Sequence, residues 1–163
     1  MAAELKTNAL RILEREKIHY IIHEYESRDG LIDGISAAHK MGIPEEKVYK
    51  TIVTKGCGRD YYVFVVPVAK EIDLKAAARA VGEKSVALIP VSDLNRVTGY
   101  IRGGCSPVGM KKQFATVLDD SCLALETMVV SAGKIGHQVE IAPTDLQRAT
   151  GAKFAPVSTE PAR

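Results

Sequence analysis

The segment Val48-Tyr49-Lys50-Thr51-Ile52-Val53-Thr54-Lys55-Gly56-Cys57-Gly58-Arg59-Asp60-Tyr61-Tyr62-Val63-Phe64-Val65-Val66 decides the fold class. Two runs rich in β-branched and aromatic residues, Val48–Thr54 and Tyr61–Val66, flank a glycine-containing reversal. The pattern predicts two strands closed as a hairpin. Alternation along the first strand sets Val48, Lys50 and Ile52 on one face and Tyr49, Thr51 and Val53 on the other. Lys50 then has two readings. It is an edge-strand lysine that discourages aggregation, or an ammonium aimed into a lined cavity to orient a carbonyl, hydroxyl or phosphate.

Toward the N-terminus, Leu5–Lys17 places Leu5, Ala9, Ile12 and Leu13 opposite charged residues, which predicts an amphipathic helix. Ile18–Tyr25 reads as a strand, and Ile35–Met41 as a short helix stopped by Gly42. Toward the C-terminus, Asp73 is a good cap for an alanine-rich helix that runs to Val81 and ends at Gly82. Ser85–Ile89 suggests a strand, and Ser92 caps a further short helix. Thr116–Asp119, Met128–Ser131 and Gln138–Ile141 supply three more strands. Thr144-Asp145-Leu146-Gln147 has a capping-box pattern before a last helix ended by Gly151. Strands outnumber helices, in hairpin-like and crossover-like spacings. The expected fold is α/β (α+β), a mixed sheet curved toward a barrel with helices packed outside. One domain is expected over residues 1–154, with a frayed tail over 155–163.

The 163 residues are 46% hydrophobic and 26% charged, the balance of a soluble globular protein. No apolar run reaches the roughly 18 residues of a membrane helix. The charged N-terminal stretch is no secretory signal, and Cys57, Cys105 and Cys122 sit in no paired spacing. A cytoplasmic protein with no membrane partner is expected. A net charge of +2 is too balanced for bulk electrostatic attachment to nucleic acid. DNA is therefore not an expected partner, and any RNA contact is local.

The most informative segment for function is Thr98-Gly99-Tyr100-Ile101-Arg102-Gly103-Gly104-Cys105-Ser106-Pro107-Val108-Gly109-Met110-Lys111-Lys112. Its glycines permit a backbone cup whose N–H groups approach an oxygen closely, and its bland alternative is a turn-rich connection. Cys105 is a thiolate candidate without an evident histidine partner, or an inert core thiol. Lys111 and Lys112, with Lys134, are solvated charges or phosphate contacts. His19 and His23, four apart in a strand, stand about 13 Å apart. That is too far for one metal ion, whose His nitrogens lie about 2 Å away. Gly-x-Ser-x-Gly, Walker-type and Cys-x-x-Cys patterns are absent from the sequence, so neither a cofactor nor a metal is expected.

Val48-Tyr49-Lys50-Thr51, Asp73-Leu74-Lys75, Thr98-Gly99-Tyr100, Gly103-Gly104-Cys105-Ser106-Pro107-Val108-Gly109 and Val130-Ser131-Ala132-Gly133-Lys134-Ile135-Gly136 together resemble the YbaK family of aminoacyl-tRNA deacylases. The resemblance runs from about Leu10 to Phe154. That family is related to the editing domain of bacterial prolyl-tRNA synthetase and includes stand-alone Cys-tRNA(Pro)/Cys-tRNA(Cys) deacylases. The resemblance implies trans-editing, in which the ester of a mischarged tRNA, above all cysteine on proline tRNA, is cleaved. Such an enzyme is a hydrolase, or a lyase in which the substrate's own thiol attacks. The partners implied are the 3′ end of aminoacyl-tRNA and a prolyl- or cysteinyl-tRNA synthetase. The alternatives are a non-catalytic tRNA- or synthetase-binding module, a hydrolase of other small acyl esters, and a deacylase preferring Ala-tRNA(Pro).

Carried over by position, the resemblance makes Lys50 the important lysine and Gly103 and Gly104 the amides that stabilise the oxyanion. Tyr25, Thr51, Cys105, Ser106, Ser131 and Gln138 become substrate-pocket positions. Gln138 stands where the family has an acidic residue, and Cys105 where it is usually aliphatic.

Overall fold

A computed structural model describes residues 6–161. Leu5, the first residue of the expected N-terminal helix, lies outside them, as do Ala162 and Arg163 of the expected tail.

The hairpin forms as its sequence requires, with β2 (Tyr49–Lys55) antiparallel to β3 (Tyr61–Pro67) in a register that pairs Lys50 with Val66 and Val53 with Val63. Val63, Phe64, Val65 and Val66 are all fully buried. An unbroken apolar run marks a strand covered on both faces, and β3 is central. A five-stranded mixed sheet is ordered β5 (Ala87–Leu88), β2, β3, β6 (Ala115–Asp119), β9 (Lys153–Ala155), with β3–β6 and β6–β9 parallel. A second, antiparallel sheet is ordered β1 (Ile21–Glu24), β8 (His137–Ile141), β7 (Met128–Lys134). A third pairs β4 (Glu71–Ile72) with β10 (Ser158–Thr159).

The expectation of a mixed sheet with outer helices holds, but its barrel-like curvature finds no support. The described strands fall into three separate sheets with no closed sheet among them. One isolated parallel bridge, Val48 to Val129, links the two larger sheets. The principal core lies where they face each other. Val65 and Leu118 from the five-stranded sheet meet Val130, Val139 and Ile141 from the three-stranded one. Leu10 and Leu13 of α1 (Asn8–Arg15) and Leu146 of α5 (Pro143–Thr150) close it. Phe64 and Val66, on the other face of β3, pack against Ala77 and Ala78 of α3 (Leu74–Val81). Removing Phe64 to alanine there would cost about 3–5 kcal/mol.

The helix ends separate sound capping signals from unsound ones. Asp73 caps α3 through the Ala76 N–H, and Gly42 and Gly82 end α2 (Gly34–Met41) and α3 in the left-handed conformation. Ser92 does not cap α4 (Val91–Thr98), which starts one residue earlier behind Pro90. Nor does Thr144 cap α5, whose first residue is Pro143. Proline presets φ and lacks the N–H that a cap would satisfy, so the start moves to it. The tail is the larger correction. Val157 is fully buried, its N–H bonds Asp119 Oδ1 at 2.9 Å, and β10 adds to β4. A single buried valine in a polar context carries no periodicity, so the sequence concealed this anchor. No described helix is long and apolar enough to cross a membrane.

Candidate functional site

β2 is paired with β3 along its whole length, but its other edge is paired only at its ends. Thr54 and Lys55 meet β5, and Val48 bridges to Val129 on β7. Between these points the edge has no strand partner among the described residues. The Val48 carbonyl accepts from the Val68 N–H, on the β3 side, whereas the Val53 carbonyl accepts from Ile89 on the outer side. Antiparallel alternation then turns the backbone groups of Thr51 toward the unpaired edge. A cleft of about 510 Å³ opens there.

Lys50, Thr51, Gly103, Cys105, Ser131 and Gln138 all line this cleft, so six of the residues singled out from the sequence come together. Lys50 is half-buried, and loss of solvation pulls its ammonium pKa below the ordinary value, with Glu71 opposing the shift. Its ammonium has no hydrogen bond or ion pair among the described residues, while its backbone pairs with Val66. Thr51 Oγ1 and Gln138 Oε1 are buried without a hydrogen-bond partner. A buried unpaired oxygen costs roughly 1–3 kcal/mol, and native structures keep few of them. Two on one cleft wall are what a site awaiting a hydrogen-bonding ligand looks like.

The glycine segment is only partly the expected cup. Gly103, at φ 85°, lines the cleft, but the Gly104 N–H is already given to the Ile101 carbonyl at 2.9 Å. Gly104 does not line the cleft and is no oxyanion donor. Its absent side chain serves packing, since a Cβ there would stand 2.9 Å from the Ile135 nitrogen. Ser106 is likewise internal, its hydroxyl accepting from the Val108 N–H. Tyr100 ties the loop shut by donating to the Val108 carbonyl at 2.7 Å. Burial pushes the Cys105 thiol up to about 11, so it stays protonated at neutral pH, the inert reading of that residue.

The remaining expected positions lie elsewhere. Tyr25 is buried beside the cleft-forming loop without lining the cleft, and its hydroxyl has no partner. Lys111, Lys112 and Lys134 are exposed and outside the lining. His23 bonds Glu140 at 2.8 Å, a structural role, and His19 is exposed.

Residues that sequence reasoning did not find make up much of the wall: Ile32, Asp33, Ile35, Leu88, Val91 and Arg102. Asp33 and Ile35 sit at the start of α2, and the loop that carries Ile32 is held by Lys40 of the same helix. Its ammonium donates to the Glu26 and Leu31 carbonyls and to Asp29, at 2.7–3.0 Å, and folds the loop 26–33 around itself. Ile32 then packs where a side chain on Gly103 would otherwise stand. No local pattern announces a lysine that binds carbonyls nine and fourteen residues away.

The sequence model of the aminoacyl-tRNA editing domain matches residues 33–149, a span that includes all of the cleft except Ile32. A protein of Enterococcus faecalis named "Putative Cys-tRNA(Pro)/Cys-tRNA(Cys) deacylase EbsC" is 41% identical over 155 residues, covering 95% of this chain and 94% of that one. The uncharacterized protein YwhH of Bacillus subtilis is 25% identical over 125 residues, covering 77% of this chain and 78% of its own. Among solved structures, one described as "a putative trans-editing enzyme for prolyl tRNA synthetase" superposes with a TM-score of 0.80 at 23% identity, over 96% of this chain and 99% of that one. The fold is thus shared, and a match over most of the sequence, carrying the cleft with it, makes this chain a member of the aminoacyl-tRNA editing domain family.

Proposed function

We propose that this protein is a trans-editing deacylase that cleaves the ester of mischarged aminoacyl-tRNA, with Cys-tRNA(Pro) as its preferred substrate. The observation that carries the reading is one cleft holding an unpaired, half-buried Lys50 beside Gly103 and two orphaned oxygens. The 41% identical relative, by its name, points to the same substrate.

Ester cleavage gathers negative charge on the carbonyl oxygen. Lys50 and the Gly103 N–H supply positive charge and a fixed donor in a partly desolvated setting, where such contacts are strongest. Thr51 and Gln138 present acceptors for the α-ammonium of the aminoacyl group. Gln138 does so without a formal charge.

The lining contains one carboxylate, Asp33, and its Oδ2 is occupied by the Ser36 N–H at the start of α2. With Cys105 protonated and no histidine lining the cleft, the described lining offers no thiolate or imidazole base. A cysteine substrate carries its own nucleophile, a thiol with an ordinary pKa of about 8.5. Its sulfur bonds to the acyl carbon, the carbon–oxygen bond to the tRNA breaks, and the thiol proton passes to the departing 3′ oxygen. Selectivity for cysteine then comes from reactivity, since a pocket separates small side chains by only about 1–3 kcal/mol per methylene.

A net charge of +2 gives little affinity for the tRNA body. A prolyl-tRNA synthetase that presents the tRNA is the fitting partner. The test is incubation of the purified protein with proline tRNA charged with cysteine, alanine or proline. Loss of cysteine alone, abolished in Lys50→Ala, is the expected result. Equal loss of alanine would overturn the thiol route, and binding without any loss of charge would overturn the enzyme reading.

A further inference from the structure

A lysine ammonium has three donors, and Lys40 commits all three to one loop. They go to the Glu26 carbonyl and Asp29 Oδ1, each at 2.7 Å, and to the Leu31 carbonyl at 3.0 Å. The amine also stands 5.8 Å from the centre of the Tyr25 ring. Exposed ion pairs between side chains contribute little, but two of these acceptors are main-chain oxygens, so the contacts set a backbone path. The other hydrogen bonds of residues 26–32 stay inside the segment. Arg28 N–H donates to Glu26, Gly30 N–H to Ser27, Leu31 N–H to Asp29 and Ile32 N–H to Gly30. Among the described residues, Lys40 is therefore what bonds this segment to the rest of the chain. The helix that carries it is itself anchored, since Ala37 and Ala38 of α2 are buried.

The segment ends on the cleft. Ile32 lines it directly after Leu31, and its Cδ1 lies 2.7 Å from the point a Cβ on Gly103 would occupy. Ile135 Cγ1 stands 3.5 Å from the same point. Two isoleucines thus pack on Gly103, whose φ of 85° aims its backbone. We propose that Lys40 is a positioning residue for deacylation: it fixes residues 26–32, keeps Ile32 against Gly103, and so holds the Gly103 N–H at the forming oxyanion. The proposal rests on the deacylase reading. Lys40 itself does not line the cleft and acts only through the segment it holds. A fixed donor works only where charge develops, and a misplacement of about 1 Å can cost about 10² in rate.

The test compares Lys40→Met, Lys40→Arg, Ile32→Ala and the Lys40→Met/Ile32→Ala double variant with wild type. In steady-state deacylation of Cys-tRNA(Pro), Lys40→Met should lower kcat about tenfold and leave KM within about twofold. Lys40→Arg should recover most of that kcat, because a guanidinium also donates to carbonyls. The double variant should lose little more than the worse single one, since both substitutions undo the same contact. A second readout needs no turnover. The Gly103 amide resonance should move in Lys40→Met and stay in place in Lys47→Met, which breaks an ion pair to Glu140 outside the segment.

A Gly103 resonance that ignores Lys40→Met overturns the proposal, as does a loss confined to KM. Fully additive losses in the double variant, or no recovery in Lys40→Arg, overturn it too while leaving the deacylase reading intact. A wild type that never deacylates charged tRNA overturns that reading, and the Gly103 resonance still decides whether Lys40 holds the amide.

Discussion

Two lysine-and-β8 pairs stand close together and behave oppositely. Lys47 and Glu140 form a saturated knot. Glu140 accepts from the Thr127 hydroxyl, from His23 at 2.8 Å and from Lys47 at 3.0 Å. Those contacts hold its carboxyl down to about 2. Three residues after Lys47, the Lys50 ammonium has no bonded partner among the described residues. Two residues before Glu140, on the same face of β8, Gln138 Oε1 has none either. The sequence distance is trivial, and the difference is made by what the neighbouring strands bring. Around Glu140, the turn before β2, the strand β1 and the residue before β7 each supply a donor. Around Gln138 the β2 edge splays away and supplies a cavity. Polar groups that hold a fold together satisfy one another, and those kept for a ligand are left open at a cost in stability.

That contrast can be broken most sharply at the lysines. Lys50→Met should lower kcat/KM for Cys-tRNA(Pro) by about 10²–10³, or about 2.7–4 kcal/mol, with its circular dichroism unchanged. Lys47→Met should stay within about threefold in activity and lose stability instead. Comparable activity losses in the two variants would mean that pairing does not mark function here.

Glu140→Gln is expected to cost about 1.5–3 kcal/mol of stability at pH 7, read from denaturant midpoints, because charge-assisted bonds become neutral ones. Its folded pKa of about 2 lies below the ordinary 4.5. The contribution is therefore whole above pH 4.5 and fades as pH falls toward 2, so the midpoints of variant and wild type should converge over that window. A gap that persists at pH 2 would remove the electrostatic explanation.

Gln138→Met should act in the opposite sense. Deleting an unsatisfied buried carbonyl is expected to leave stability equal or raise it by about 1 kcal/mol, while activity falls by roughly tenfold. A variant both less stable and fully active would show that Gln138 is structural after all.

The smallest effect concerns Lys50 itself. Burial disfavours its charged form, so the unfolded chain holds the proton more tightly. Stability should creep upward with pH between the lowered pKa and 10.5, and Lys50→Met should flatten that slope in alkaline denaturation curves.

Local chemistry made much of the fold legible. The β2–β3 hairpin followed from β-branched runs around glycines, and α3 from Asp73, alanines and Gly82. It also gave the loop of glycines, though not their division of labour. Gly103 and Gly104 are identical in sequence, and only the turn bond to Ile101 and the backbone of Ile135 distinguish a cleft residue from a packing one. Leu88 and Val91 were not legible as cleft residues because they look like ordinary strand and helix residues around Pro90.

The sequence alone determined the longer strands and the helices, though not β4, β9 or β10, and that Lys50, Thr51 and the glycine loop deserved notice, because propensity, capping and alternation act within a few residues. Tertiary structure decided that the β2 edge stays unpaired between Val48 and Val53, that Val157 anchors the tail, and that Gln138 faces a cavity while Glu140 is saturated. Each of those outcomes depends on contacts between residues far apart in the chain, and no local interaction encodes them.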